Sequence, residues 1–382
     1  MKISMASTLF SSSLKPILKW AGGKEKELKY IIPNAPEFER YIEPFVGGGA
    51  VFAGICAKQN FINDKSDELI CLYRNISEND NRFFCYAEGI DASWENAETF
   101  FRRHTELIET YYSYREGEIG MEDLKEYISN FCEQNAQEIK QIIGEDFSAG
   151  YGVLIDEFRI NLQRKLMRMR ELEKQKHILP DSDVEDNVQT AIKSALYMCY
   201  RWLYNDKQIT TRDSAMHSAL FLFIRNYAYS GMFRYNDKGE FNVPYGGIGY
   251  NSKTMKSKLA YYQSEDLQEL FSRTQIFNLD FEDFLQTVTP TEKDFVFLDP
   301  PYDSEFSTYA QNEFSKGDQQ RLADYMINKC KSKWMLIIKH TDFIYSLYDK
   351  PGINIRTFDK EYLVSFMNRN NKKTTHLLIT NY

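Results

Sequence analysis

Apolar and polar positions along this chain change period several times, and the changes mark its elements. Tyr41–Glu43 form a short extended run, "VGGG" breaks it, and "AVFAGICAK" continues at helical spacing. "NFIND" is a second extended run, closed by Asp64 and followed by the helical "KSDELICLYRNI". This β-α-β-α alternation predicts an α/β sheet. "TQIFNLDFEDFL", "DFVFLDPPY" and "WMLIIKH" each contain a later strand, and "TTHLLITNY" closes the sequence as another.

Between these stretches the pattern turns helical. In residues 77–190 Glu, Lys, Tyr and Phe recur at helical spacing, as in "MEDLKEYISNFCEQNAQEIKQII". "GEDFSAGYG" interrupts, "FRINLQRKLMRMRELEKQKHIL" predicts a long helix, and "PDSDVEDN" reads as a solvated linker. "IKSALYMCYRWLYND" and "SALFLFIRNYAYSGMF" are apolar helices. "RYNDKGEFNVPYGG" then reads as a hairpin turning at Asp237-Lys238-Gly239. The expected organisation is an α/β domain in two parts, 1–76 and 261–382. A helical insertion (77–190) and a hairpin-bearing region (191–260) lie between them.

Composition narrows the class. With 43% hydrophobic and 27% charged residues among 382, the chain reads as an ordinary globular protein of more than one domain. No apolar run approaches the roughly 18 residues of a membrane span. The start, "MKISMASTLFSSSLKP", reads as a loose polar leader. Cys56, Cys71, Cys85, Cys132, Cys199 and Cys330 form no C-x-x-C pair, so reduced, mostly buried thiols and a cytoplasmic location are expected. The five histidines are scattered, and no metal site is expected. The net charge of -8 is uneven: residues 77–190 hold about 25 acids against about 13 bases, leaving the rest mildly basic.

Three constellations carry candidate chemistry. In "FVFLDPPY" a buried strand runs into Asp299, Pro300, Pro301 and Tyr302. The prolines lack N–H donors and end the ladder, so Asp299 and Tyr302 are presented where the strand stops. The exocyclic amine of adenine is a poor nucleophile because its lone pair is delocalised into the ring. A carboxylate and a proline carbonyl aimed at its N–H bonds localise that pair, and the carboxylate stabilises charge developing on nitrogen. A tyrosine face can stack on the base. In "EPFVGGG" a glycine turn between strand and helix admits either a closely approaching ligand or simply a tight turn. Asp64, at the end of the second strand, is placed to accept ribose hydroxyls or to cap the helix that follows.

In chain order, "LKWAGGK" (18–24), "EPFVGGGAVF" (43–52), "NDKSDELICLY" (63–73), "FLFIRNYAYSGMFRYNDKGEFNVPYGG" (221–247), "FLDPPY" (297–302) and "TTHLLITNY" (374–382) resemble the motifs of the Dam-type, D12 class, DNA adenine-N6 methyltransferases. The resemblance spans nearly everything except 77–190, where that family has a much shorter connection. It implies a doubly wound mixed sheet of the S-adenosylmethionine-dependent methyltransferase type, with a helical DNA-recognition domain bearing the hairpin. It implies S-adenosylmethionine as cofactor, held by Trp20, Lys24, Phe45, Gly47, Gly49, Asp64, Asp280, Phe281 and Asp299. It also implies double-stranded DNA as partner and a target-adenine pocket at Asp299, Pro300, Pro301 and Tyr302.

For DNA contacts the resemblance points to Lys19, Tyr229, Ser230, Met232, Arg234, Asn236 and Pro244. Arg234 is matched to a guanine and Tyr229 to a wedge beside a flipped adenine. Members with this hairpin typically methylate adenine in GATC, which is the expected target. Residues 225–258 agree in charge, with six bases against two acids. The sequence departs from the family at Gly247, where some members carry arginine, at Ser230, where some carry asparagine, and at His376, where an acid is frequent. The acidic 77–190 block carries no matched motif and is expected to be dispensable for the chemistry. It could dock a protein partner such as a restriction nuclease, or buttress the recognition domain. The rival readings are an amino-methyltransferase acting on cytosine N4 or on RNA, and a non-catalytic DNA-binding protein.

Overall fold

The computed structural model describes residues 14–20, 22–55, 57–302, 314–361 and 373–382. Most of the expected leader and Cys56 lie outside the described residues. Two compact units divide the chain. One comprises the residues up to Ser77 and those from Tyr262 onward; the other is Glu78–Tyr261.

The first unit is built on seven strands: β1 (Arg40–Glu43), β2 (Gln59–Asn63), β3 (Thr274–Phe277), β4 (Asp294–Leu298), β5 (Lys333–Lys339), β6 (Asn354–Glu361) and β7 (Lys373–Thr380). Their order is β3-β2-β1-β4-β5-β7-β6, parallel except for β7, which runs against both β5 and β6. All five residues of β4 are buried, as an interior parallel strand covered on both faces requires. Ile42, Val296, Leu298, Trp334, Leu336 and Leu377 form the centre of a core joined by Phe281, Phe284, Leu322 and Met326 from helices. This is the mixed α/β sheet expected from the sequence. β6 is an addition: among the described residues "NIRTFDKE" pairs with β7 alone, and its polar content suits an edge strand while hiding it from a periodicity reading.

Strand order reverses between β1 and β4, so the chain crosses over in opposite directions on either side. Open parallel sheets bind ligands at the carboxyl ends of the strands flanking such a point. Arg40 fixes the opposite end of this strand pair. Its Nε and Nη2 meet the two carboxylate oxygens of Asp294 at 2.9 and 2.6 Å. Burial disfavours ionisation of Asp294, but the Arg40 and Thr291 hydrogen bonds outweigh it and hold the carboxyl below its usual range.

The second unit is helical. Its long members are Asn81–Arg103, Tyr151–Gln175 and Asp181–Asn205, joined by shorter helices including Met121–Gln134 and Ser214–Tyr227. Asp80 starts the first by accepting from the backbone N–H of Arg82 and Phe83. Two expectations are corrected here. "PDSDVEDN" is no linker: Pro180 precedes the first turn of Asp181–Asn205, and Asp181 and Asp183 sit in that turn, where the helix dipole favours carboxylates. The expected division at residue 190 therefore falls inside one helix. The helices before it also share the core of those after it. The Trp94 ring packs on Phe223, Tyr227 and Tyr245 with centroids 5.7, 4.7 and 5.5 Å away, and its Nε1 donates to the Asn251 carbonyl at 3.0 Å.

Residues 228–247 form two antiparallel arms. They meet at isolated bridges, Ala228 with Tyr245 and Tyr235 with Phe241, rather than in a regular ladder. The helix Asp181–Asn205 straps one arm: the Asn205 side chain exchanges two hydrogen bonds with the Phe241 backbone, and the Tyr197 hydroxyl donates to the Val243 carbonyl. Cys132 and Cys199 are buried, Cys71 and Cys330 half-buried, and Cys85 exposed, fewer buried thiols than composition implied. Among the described residues no helix is long and apolar enough to cross a membrane.

Candidate active site

β1 ends at Glu43 and β4 at Leu298, so the chain leaves neighbouring strands in the same direction and places "PFVGGG" beside Asp299. The glycine turn is demanded locally. Gly47 has φ +48°, and a Cβ there would lie 2.8 Å from Trp20 Cδ1. Gly49 has φ +74°, and a Cβ there would collide with the Tyr73 hydroxyl. Packing of the turn against Trp20 and Tyr73 thus already requires glycine. Tyr73 also donates to the Gly47 carbonyl at 3.0 Å. Trp20, Gly23, Lys24, Glu43, Val46 to Val51 and Asp299 line one cleft.

Lys24 is the charged centre of that cleft. Its ammonium, 2% exposed with the rest of its side chain, forms an ion pair with Asp299. It also donates to the Gly22 carbonyl at 2.9 Å and reaches the Tyr302 hydroxyl at 3.4 Å. Three acceptors match the three donors of an ammonium. Tyr302, half-buried, also lies 3.3 Å from His376 Nε2. Pro300 is buried and Pro301 exposed. The Pro301 carbonyl is held by Gln319 Nε2 at 2.8 Å.

Asp64 turns both of its oxygens to backbone N–H groups. One oxygen accepts from Gly47 N at 3.0 Å and the other from Ser66 N at 3.0 Å, ahead of the helix Asp67–Ser77. Burial raises its carboxyl pKa against these hydrogen bonds. Asp280 caps the helix Phe281–Val288 through Glu282 N and takes the Arg321 guanidinium at 2.8 Å. The Phe281 ring is core, 3% exposed, between Phe45 and Phe314. Arg321 covers it at 4.7 Å. Trp20, Lys24, Phe45, Gly47, Gly49, Asp64, Asp280, Phe281 and Asp299 to Tyr302 thus all belong to the first unit, at or beside the carboxyl ends of β1, β2, β3 and β4.

The DNA-facing expectations divide between the units. Lys19 is exposed in the first. In the second, Ser230 (φ +52°) and Gly231 (φ +63°) make consecutive left-handed turns that leave Tyr229 49% exposed. Arg234 and Pro244 are exposed and Met232 half-buried. Arg234 Nε donates to Asn242 Oδ1 at 2.9 Å. Asn236 closes its own turn: Oδ1 accepts from Lys238 N and Glu240 N, and Nδ2 donates to Glu240. Its amide is committed to shaping the arms.

Sequence reasoning passed over Glu43, Arg321 and Gln319. Glu43 is 2% exposed and accepts from the Tyr41 hydroxyl at 2.9 Å. Burial lifts its carboxyl well above the usual range, and the field of Asp299 adds to that. Its signal was present, an acid closing the first strand. Arg321 and Gln319 sit on the helix Lys316–Asn328 and carry no motif.

A family model described as D12 class N6 adenine-specific DNA methyltransferase matches residues 20–365. The chain belongs to that family. Its reaction is methyl transfer to adenine in DNA. Among curated relatives, a "Type II methyltransferase M.CviBI" from Paramecium bursaria Chlorella virus NC1A is 26% identical, covering 97% of this chain and 100% of its own. "Type II methyltransferase M.MjaIII" from Methanocaldococcus jannaschii is 25% identical over 97% and 99%. A "DNA adenine methylase" of Salmonella typhi is 23% identical over 86% and 81%.

Proposed function

We propose that the first unit transfers a methyl group from S-adenosylmethionine to N6 of an adenine flipped out of duplex DNA, within GATC. The observation that carries this is the meeting of Lys24, Asp299 and Tyr302 beside the glycine turn at the reversal of strand order. The donor set fits the cofactor. Lys24 and the backbone of the turn suit a carboxylate, Asp64 suits ribose hydroxyls, and Phe45 with Asp280 suits an adenine ring. When bound, S-adenosylmethionine supplies a methyl group on a positively charged sulfur.

Asp299 and the Pro300 carbonyl accept the two N6 hydrogens of the target base, which localises the nitrogen lone pair. Aimed in this way, that pair would take the methyl group the bound cofactor supplies, and the one proton released from N6 would pass to water. Asp299 stabilises the positive charge passing through N6, and its ion pair with Lys24 holds the carboxylate in place. Tyr302 offers its ring to the base. Flipping costs a few kcal/mol, offset by stacking and hydrogen bonds in the pocket.

The arms at 228–247 are the reading element of a helical recognition unit. A two-stranded ribbon fits the major groove, and arginine pairs with guanine O6 and N7. Arg234, exposed beside the turn, takes that role, with Met232 and Pro244 suited to apolar contact. Tyr229 is presented as a wedge. The Type II methyltransferase names of relatives support a place in restriction and modification. Incubation with duplex DNA and tritiated cofactor, then nucleoside analysis and long-read mapping, tests all of this. Label on N4-methylcytosine, or a motif without GATC, would overturn the respective part.

A further inference from the structure

Gln319 presents a contradiction that packing alone does not resolve. It lies in the first turn of the helix Lys316–Asn328 and is fully buried. Its Nε2 donates to the Pro301 carbonyl at 2.8 Å, which fixes the orientation of the amide. Among the described residues its Oε1 meets no hydrogen-bond partner. Burying an amide oxygen without a donor costs stability, and a leucine of similar size would avoid that cost. The residue is therefore ill-suited to a purely structural task. The one thing its polar head does is hold the carbonyl that follows Pro300.

We propose that Gln319 is a positioning residue for methyl transfer. Its amide anchors the Pro301 carbonyl from the helix side and so fixes the plane of the Pro301–Tyr302 peptide, which the locked φ of the Pro301 ring couples to the Pro300 carbonyl. This aims the Pro300 carbonyl and the Asp299 carboxylate together at the target amine. Proline ring closure already restricts φ at 300 and 301, and the Gln319 bond sets the orientation that remains. The opposite flank is held by the ion pair of Asp299 with Lys24. A reacting amine needs both acceptors within a fraction of an ångström, and a small misplacement is costly in rate. The proposal rests on the reading of Asp299 and Pro300 as the target-amine acceptors.

Single-turnover methylation by the full chain tests it. Gln319→Leu should slow transfer about 10-fold or more, with cofactor affinity by calorimetry within about twofold and a thermal midpoint no lower than the parent. Gln319→Glu supplies a second readout. A buried carboxyl can donate to the Pro301 carbonyl only when protonated, so its rate divided by the parent rate should rise as pH falls from about 8 to about 6. The other charged groups on this helix and around the motif (Asp318, Arg321, Asp280, Glu282, Lys24 and Asp299) are common to both proteins and cancel in the ratio. A Gln319→Leu protein that transfers at the parent rate overturns the proposal. So does one that unfolds at lower temperature in step with its lost activity, or a flat ratio for Gln319→Glu. Asp299→Ala run alongside separates the two readings. Full transfer by Asp299→Ala means the acceptor assignment itself is wrong, whereas a dead Asp299→Ala beside an active Gln319→Leu removes only Gln319.

Discussion

The Tyr302 hydroxyl lies 3.3 Å from Nε2 of His376, with the two rings edge to face at 5.7 Å. His376 is fully buried on β7, and Lys24 reaches the same hydroxyl from the other side. A strand added late to the sheet thereby meets the aromatic ring of the Asp299–Tyr302 motif. Tyr302→Phe keeps the ring and removes the shared oxygen. Transfer should fall roughly 3- to 10-fold, the loss of about one hydrogen bond. In that background His376→Leu should add little, because both changes remove one network. Independent, multiplying losses in rapid-quench kinetics would show that the ring contact, and not the hydroxyl, matters.

Asp299→Ala should abolish methyl transfer and leave a cooperative unfolding transition at a lower temperature. Lys24 is 2% exposed and would lose its carboxylate partner. Breaking a buried pair from one side costs about 3–5 kcal/mol, less here because Asp299 is partly exposed. Calorimetry and a methylation assay on one preparation give both numbers. Near-parent methylation would remove Asp299 from the chemistry.

Glu43 gives a dependence on pH. Burial, reinforced by Asp299, raises its folded pKa well above its unfolded value. A group raised in this way contributes stability that is fully present below about pH 4.3 and is lost as pH rises through the folded value. Glu43→Gln lacks that loss. Its thermal midpoint minus that of the parent, measured without cofactor, should therefore grow as pH rises from about 4.5 toward neutrality. A constant difference would mean that Glu43 is ionised in the folded protein.

Trp94→Ala should destabilise the second unit by about 3–5 kcal/mol, since three aromatic rings and one buried hydrogen bond depend on the indole. Replacing residues 95–185 by a short linker should then prevent that unit from folding, contrary to the dispensability expected from motif content. A soluble deletion protein with parent-like protease resistance would restore the earlier expectation.

Arg234→Ala should cost about 1–3 kcal/mol of discrimination at a single guanine and relax specificity there. Its side-chain hydrogen bond to Asn242 is exposed, so the thermal midpoint should hardly move. Unchanged specificity in methylation mapping would detach the arms from base reading.

The sequence by itself determined the alternation of strands and helices, the glycine turn, and the place where β4 must stop. These are local matters: periodicity, proline and glycine act within a few residues of themselves. Asp64, Asp299 and Tyr302 were legible because each stands at the end of an apolar run. Tertiary structure alone decided what those residues meet. Lys24 reaches Asp299 across 275 positions, Gln319 supports the motif from a helix that carries no signature of it, and His376 meets it from the closing strand. β6 went unseen because an edge strand is polar, and the first turns of Asp181–Asn205 because a helix start attracts the same acids as a linker. The 77–190 boundary failed for a related reason. Composition records which residues are charged on the outside, whereas the unit is defined by an aromatic core assembled from both sides of that boundary, and burial is a property of the folded chain.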